Sequence, residues 1–305
     1  MNSLYNPPTI DEYLKKAPHP MRKKGGGRSS DALDRYPGFP LVTVCTIVRN
    51  GENTLAQTIA TVVNQSYPNI EYIIVDGAST DGTLNLINLF NDKIDLWISE
   101  PDFGTCDAIN KAISHAKGDY IFLIHSDDWA EPDHVKYAIE TLGSSGADFV
   151  FGNTKYYDGN TRDFTQLGDP DYASSITYKM PRLNTPSMVL KKACFERIGL
   201  YDLRYKVAPD YEWLLRLHVR GGKGVYDGRL NICHRLGGIS SKQFVLANSE
   251  ARLASIQHGF SPARATRAFL SQCVRRKLRQ LAQMILPKVA YRSILRWIRA
   301  GYSSS

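Results

Sequence analysis

Asp119–Trp129, DYIFLIHSDDW, carries an apolar strand pattern straight into two adjacent aspartates. A short run rich in Tyr, Ile, Phe and Leu, entered and left through polar residues, reads as a strand. Its near-continuous apolar character points to a strand covered on both faces. The pattern recurs outward from it. LVTVCTIV from Leu41, EYIIVDG from Glu71 and DLWISE from Asp95 are strand-like. Between them, NTLAQTIATVVNQ from Asn53, TDGTLNLINLF from Thr80 and TCDAINKAISHA from Thr105 have helical apolar spacing. This alternation predicts an α/β fold with a mostly parallel, Rossmann-like sheet flanked by helices. Ligands in such folds sit where loops leave the carboxyl ends of the strands. Thr46 to Asn50, Asp76, Glu100 to Asp102, and the Asp127–Asp128 pair all fall at such ends.

Charge is unevenly distributed along the chain. The 305 residues carry 38 basic and 30 acidic side chains, a formal +8. No acidic residue follows Glu250, whereas eleven basic ones do, from Arg252 to Arg299. The body is therefore mildly acidic and the tail basic, unlike a nucleic-acid enzyme with its positive charge around the cleft. The five cysteines are scattered and never spaced as C-x-x-C, which reads as reduced thiols in a cytoplasmic protein. No apolar run has the roughly 18–20 residues of a membrane span. No secretory signal pattern opens the chain. Residues 1–40, with NPPT, APHP, RKKGGGRSS and YPGFP, are rich in breakers and are expected to form a mobile leader.

Five motifs in order carry a family resemblance: TIVRNGENTLAQTIATVVNQSYPNIEYIIVDGASTDGT, SEPDFGTCDAINKA, GDYIFLIHSDDW, APDYEWLLRL and GGIS. Together they resemble a family 2 glycosyltransferase of the GT-A fold, the kind that builds bacterial surface polysaccharides. The resemblance covers roughly residues 41–241. It implies a nucleotide-sugar half over 41–153, an acceptor half over 154–241, and a helical basic tail over 242–305. Three positions depart from the common pattern: His125-Ser126 before the aspartates, Cys106 where tyrosine is frequent, and Thr185 where histidine is frequent.

The resemblance implies a nucleotide diphosphate-sugar donor, a saccharide or lipid-linked acceptor, and a divalent cation, Mg²⁺ or Mn²⁺. In that frame Asp128 is the metal ligand and Asp127 contacts the donor sugar or ribose. By spacing alone, Asp128 with Glu131 and Pro132 is equally an N-terminal helix signature. Asp76 is expected to accept from the base or ribose, the alternative being an Asx-turn. Thr46 and Arg49 are expected to flank the base and diphosphate. Asp107 and Asn110 share a helix face and either line the donor pocket or fix the loop after SEPD. Asp210, just after Pro209, is either a helix cap or, as the resemblance implies, the catalytic base. Glu212 lies four residues before Arg216, the spacing of a helical ion pair. His234 and Gly237–Gly238 are read as a structural histidine and a closing loop.

The tail reads as two basic amphipathic stretches. One sets Leu270, Val274, Leu278, Leu281 and Ile285 against Arg275, Arg276 and Arg279; a second follows Pro287 and carries Trp297. Such helices suit an anionic membrane surface, which implies a peripheral site at the inner face of the cytoplasmic membrane. The alternative is a helix docked on the protein itself. Nucleic-acid binding is not expected, because stacking aromatics are not interleaved with the charge. Against an enzyme stands a catalytically silent nucleotide-sugar-binding or scaffolding relative.

Overall fold

The computed structural model describes residues 7–28, 36–159, 161–236 and 243–285. The Gly237–Gly238 loop and the second basic stretch around Trp297 lie outside them. Ten strands form one sheet: β1 (Lys23–Gly25), β2 (Val42–Val48), β3 (Ile70–Asp76), β4 (Leu96–Ser99), β5 (Tyr120–His125), β6 (Trp129–Ala130), β7 (Phe149–Asp158), β8 (Thr161–Gln166), β9 (Val189–Lys191) and β10 (Gly224–Arg235). Their order is β1-β4-β3-β2-β5-β9-β7-β10-β6, with β8 hairpinned onto β7. The β4-β3-β2-β5 block is parallel, as is the β7/β10 pair. Strand β9 runs antiparallel to both β5 and β7 and joins the two blocks.

Helices α1 (Ile10–Lys15), α2 (Leu55–Val63), α3 (Thr83–Leu89), α4 (Thr105–His115), α5 (His134–Ser145), α6 (Tyr172–Ser175), α7 (Ala193–Ile198), α8 (Pro209–Val219), α9 (Phe244–Gln257) and α10 (Pro262–Ile285) complete the fold. Side chains alternate faces along a strand, and the core divides accordingly. Tyr72 and Ile74 of β3 pack with Ile59 of α2, Ile87 of α3 and Val135 of α5. Ile73 and Val75 face Ala112 of α4, Phe195 of α7 and Leu215 of α8. Both faces are thus covered, which is why all seven positions of β3 are buried and the apolar run is unbroken.

Two boundaries differ from the sequence reading. The leader is not a free arm over residues 7–28. Thr9 caps α1 in a reciprocal capping box with Glu12, and β1 adds an antiparallel edge to β4. Tyr13 is buried and donates to Asp107 at 2.9 Å. Arg22 grips Glu100 through Nε at 2.6 Å and Nη2 at 2.9 Å. Burial alone would raise the Glu100 pKa, but Arg22 and Lys111 outweigh it and hold it down at about 2. A six-residue helix has no periodicity to read and is stable only through such tertiary contacts. The division at 153/154, in turn, cuts through the ten-residue strand β7, so the two halves share one sheet.

The tail is likewise not an appendage at its start. Glu250, Ala251, Ala254 and Ser255 of α9 are buried, and Tyr211 of α8 meets Ser255 at 3.1 Å. The expected Glu212–Arg216 ion pair is present at 3.0 Å, with both groups buried. His258 lies 2.9 Å from the other Glu212 oxygen, and Arg216 donates to the carbonyls of Ile198 and Leu200 at 2.6 and 2.8 Å. These contacts tie α7, α8 and the end of α9 together.

Candidate active site

Register brings the carboxyl ends of the parallel strands level. Val48 pairs Asp76, Asp76 pairs Ser99, and Ile47 pairs His125. Two loops leave this row interlocked. Asn50 donates its N–H to Ser79 Oγ at 2.7 Å and accepts from the Thr80 N–H at 2.9 Å. Both tight turns use a left-handed residue, Asn50 at φ 54° and Ala78 at φ 55°; Asn adopts that region readily. Asp76 ends β3 fully buried, accepting from Ser79 and from Ser99 Oγ at 2.6 Å. The carboxylate thus closes the loop it opens, through the N–H three residues on. A carboxylate has about four acceptor positions, and contacts from Ser79 and Ser99 occupy them here. Arg49 is exposed beside this loop and makes no ion pair among the described residues.

Two expected donor contacts are occupied by the fold itself. Thr46 lies inside β2, not at its end: it is fully buried and shares a 3.1 Å hydrogen bond with the Tyr72 hydroxyl. Asp107 accepts from Tyr13 and from the Phe103 N–H at 3.2 Å, and pairs with Lys111 at 3.3 Å. Asn110 brackets Tyr201, donating to its carbonyl at 2.8 Å and accepting from its N–H at 2.9 Å. Asp107 and Asn110 thus anchor the leader and the stretch before α8.

Asp128 sits in the turn between β5 and β6, its N–H donating to the His125 carbonyl at 3.1 Å. It is fully buried, and its Oδ1 lies 2.7 Å from Nδ1 of His234 on β10. The approach is close but poorly directed. Both Asp128 oxygens and His234 Nδ1 are left without a well-formed hydrogen bond. Burial disfavours charge on His234, but Asp128 and Asp127 outweigh it and raise its pKa. Buried polar atoms without proper partners are costly. A carboxylate oxygen and an imidazole nitrogen converging in this way fit a divalent cation such as Mn²⁺. No group of three or more His, Cys, Asp or Glu converges among the described residues. The remaining ligands of a cation would be phosphate oxygens and water. Asp127 is half-buried beside this pair. Around it, Trp129 meets Tyr157 at a tilt, 4.7 Å between ring centroids, Arg235 covers Trp129 at 5.1 Å, and Tyr156 meets His234 edge-on at 5.4 Å.

Asp210 is the second residue of α8. Its Oδ1 accepts from the Tyr211 N–H at 2.9 Å and its Oδ2 from Thr185 Oγ1 at 3.1 Å. Burial raises its pKa above the ordinary carboxylate range, against these hydrogen bonds and the charge of nearby His125. It makes no ion pair among the described residues. Three residues thus gain places here that spacing could not assign. Thr185 orients Asp210, His125 faces it electrostatically, and His234 completes the Asp128 pair. The first two stood out in the sequence only as departures from the common pattern. The third needed β10 to return beside β6, with Cys233 opposite Trp129.

Residues 43–200 match the family model described as glycosyl transferase family 2. An uncharacterized glycosyltransferase of Mycobacterium tuberculosis is 32% identical over 189 residues, spanning 58% of this chain and 68% of that protein. TuaG of Bacillus subtilis, whose name assigns it to teichuronic acid biosynthesis, is 32% identical over 150 residues, 48% of this chain and 58% of its own length. Among solved structures, Staphylococcus aureus TarS 1–349 in complex with UDP-GlcNAc aligns with a TM-score of 0.57 at 16% identity, over 75% of this chain and 70% of that one. The mannosyltransferase PcManGT of Pyrobaculum calidifontis, in complex with GDP-Man and Mn²⁺, aligns with a TM-score of 0.56 at 16% identity, over 95% and 89%. At these identities the two structures bear on the fold alone.

Proposed function

The chain belongs to glycosyl transferase family 2, and from that premise we propose an inverting, metal-dependent enzyme of cell-surface polysaccharide synthesis. It moves a sugar from a nucleotide diphosphate-sugar to a hydroxyl of a saccharide or lipid-linked acceptor. The observation that carries this reading is Asp210: a carboxylate held by Thr185 and the Tyr211 N–H, raised in pKa by burial, and not neutralised by an ion pair among the described residues. Such a group is poised to accept a proton. Asp210 takes it from the acceptor hydroxyl as that oxygen attacks the anomeric carbon opposite the departing diphosphate. One displacement inverts the anomeric centre.

In this reading Asp76 accepts from the base or ribose in exchange for one of its serine contacts, Arg49 faces the diphosphate, and Asp127 contacts the donor. A divalent cation held by Asp128 and His234 would supply charge neutralisation for the diphosphate. The fold-level relatives PcManGT and TarS were solved with GDP-Man and Mn²⁺ and with UDP-GlcNAc, and the proposed donor and cation are of that class. A thermal-shift series of nucleotide diphosphate-sugars, with and without Mn²⁺, is expected to show one donor class stabilising the protein only with the cation. Stabilisation independent of Mn²⁺ counts against the metal. A catalytically silent relative would show the shift without consuming the donor.

The same reading places the enzyme at the inner face of the cytoplasmic membrane. No helix among the described residues is long and apolar enough to cross it. On α10, Leu270, Val274, Leu278 and Leu281 are each more than half exposed, and Arg267 and Arg275 flank the row. An apolar row edged by cations that make no ion pair among the described residues favours anionic lipid. The full chain is expected to sediment with vesicles containing phosphatidylglycerol and not with phosphatidylcholine alone, and to be released by salt. Equal binding to both, or none, removes the membrane assignment and leaves the transferase reading intact.

A further inference from the structure

We propose that Glu250 is a positioning residue for transfer, a buried anion on the C-terminal helix α9 that clamps the backbone delivering Asp210. The inference rests on Asp210 being the general base. Helix α8 has no side-chain cap at its N-cap. Its N-cap residue is Ala208, whose methyl accepts nothing, and Pro209 follows. The amides at a helix start must nevertheless be paired. Glu250 takes the three amides that lead into the helix, from 42 to 44 residues away: Oε1 accepts from the Lys206 N–H at 2.9 Å, and Oε2 from Val207 at 2.9 Å and Ala208 at 2.8 Å.

Three successive amides converging on one carboxylate form an anion nest at the positive end of a helix. Glu250 is 7% exposed and makes no ion pair among the described residues, so backbone dipoles stabilise its charge. The opposite side of this stretch is held by α4, through Asn110 on Tyr201 and the Cys106 thiol on the Tyr205 carbonyl at 3.5 Å. Asp210 therefore leaves a backbone pinned between α4 and α9. With both oxygens taken by backbone amides, Glu250 acts through that backbone. A misplacement of about 1 Å remote from the chemistry can cost about 10²-fold in rate, and the clamp prevents it. The segment after the sheet thereby serves catalysis, apart from any role at a membrane.

Glu250→Gln keeps the side-chain volume but turns an amide donor towards the nest. Its turnover, normalised to the nucleotide-binding sites counted by calorimetry, is expected to fall at least about 10-fold, with the donor KM unchanged. In an Asp210→Asn background the same change is expected to alter the residual rate by less than about twofold, because effects through one shared group are non-additive. Gln257→Ala, which frees the Tyr205 hydroxyl from α9 but leaves the nest intact, is expected to keep its turnover. Equal fold losses from Glu250→Gln in both backgrounds, wild-type turnover in Glu250→Gln, or an equal loss in Gln257→Ala would each overturn the proposal. If Asp210→Asn alone kept normal turnover, the base assignment would fall and this inference with it; the other three outcomes leave the base standing.

Discussion

Asp210→Asn is expected to lower turnover by about 10²–10⁴-fold, the usual worth of general-base assistance, while donor binding stays measurable. Asn preserves shape: its Oδ1 can keep the Tyr211 N–H and its Nδ2 can donate to the Thr185 hydroxyl, so the start of α8 should stay in place. What it lacks is basicity. Stability provides an independent check with a defined sign. Burial raises the Asp210 pKa in the folded protein, so between its unfolded and folded pKa values the folded state binds more protons. Stability therefore falls as pH rises through that window. At neutral pH the ionised carboxylate costs stability, and Asp210→Asn is expected to melt at the same temperature as the parent or higher. By the same sign, turnover should be lost on acidification at a pH above the ordinary carboxylate range, since the base must be ionised to act. Near-normal turnover of Asp210→Asn with acceptor present would remove the base assignment. A clear drop in melting temperature would remove the claim that Asp210 is held at a cost.

The second large effect is expected at Asp128. Asp128→Asn should abolish the Mn²⁺ dependence of nucleotide diphosphate binding, weakening it at least about 100-fold at fixed Mn²⁺; even partners that merely support a metal ligand are worth about 10–100-fold. The unloaded protein should lose little stability. Both Asp128 oxygens are buried without well-formed hydrogen bonds, an arrangement that costs free energy when no ion completes it. His234→Ala is expected to reproduce the defect in milder form, because it removes the nitrogen 2.7 Å from Asp128. Isothermal calorimetry of the nucleotide diphosphate, with and without Mn²⁺, measures both. If Asp128→Asn bound the nucleotide with full cation dependence, the assignment of the cation to this pair would be withdrawn.

Much of the fold was legible because it is written locally. Apolar runs covered on both faces, helical spacing between them, and polar residues at strand ends are features of single segments. They placed the sheet and the row of loops that carries Asp76, Asp127 and Asp128. The same locality misled at Thr46, grouped with the strand-end residues although it lies two residues inside β2 with its hydroxyl paired to Tyr72. It misled again at Asp107: spacing shows which helix face a carboxylate shares, not that Tyr13 and Lys111 occupy it.

The sequence by itself determined the α/β architecture, the strand-end location of the acidic residues, the Glu212–Arg216 pair and the basic tail. Each depends on spacing within one element or on composition. Only the tertiary structure decided that the leader is an edge strand and a buried tyrosine, that His234 meets Asp128, that Thr185 orients Asp210, and that Glu250 holds the backbone before it. Those contacts join residues between 25 and 106 positions apart, or 42 to 94 for the others. Chain closure over such distances is set by the packing of the whole sheet and its helices, and no local pattern encodes it.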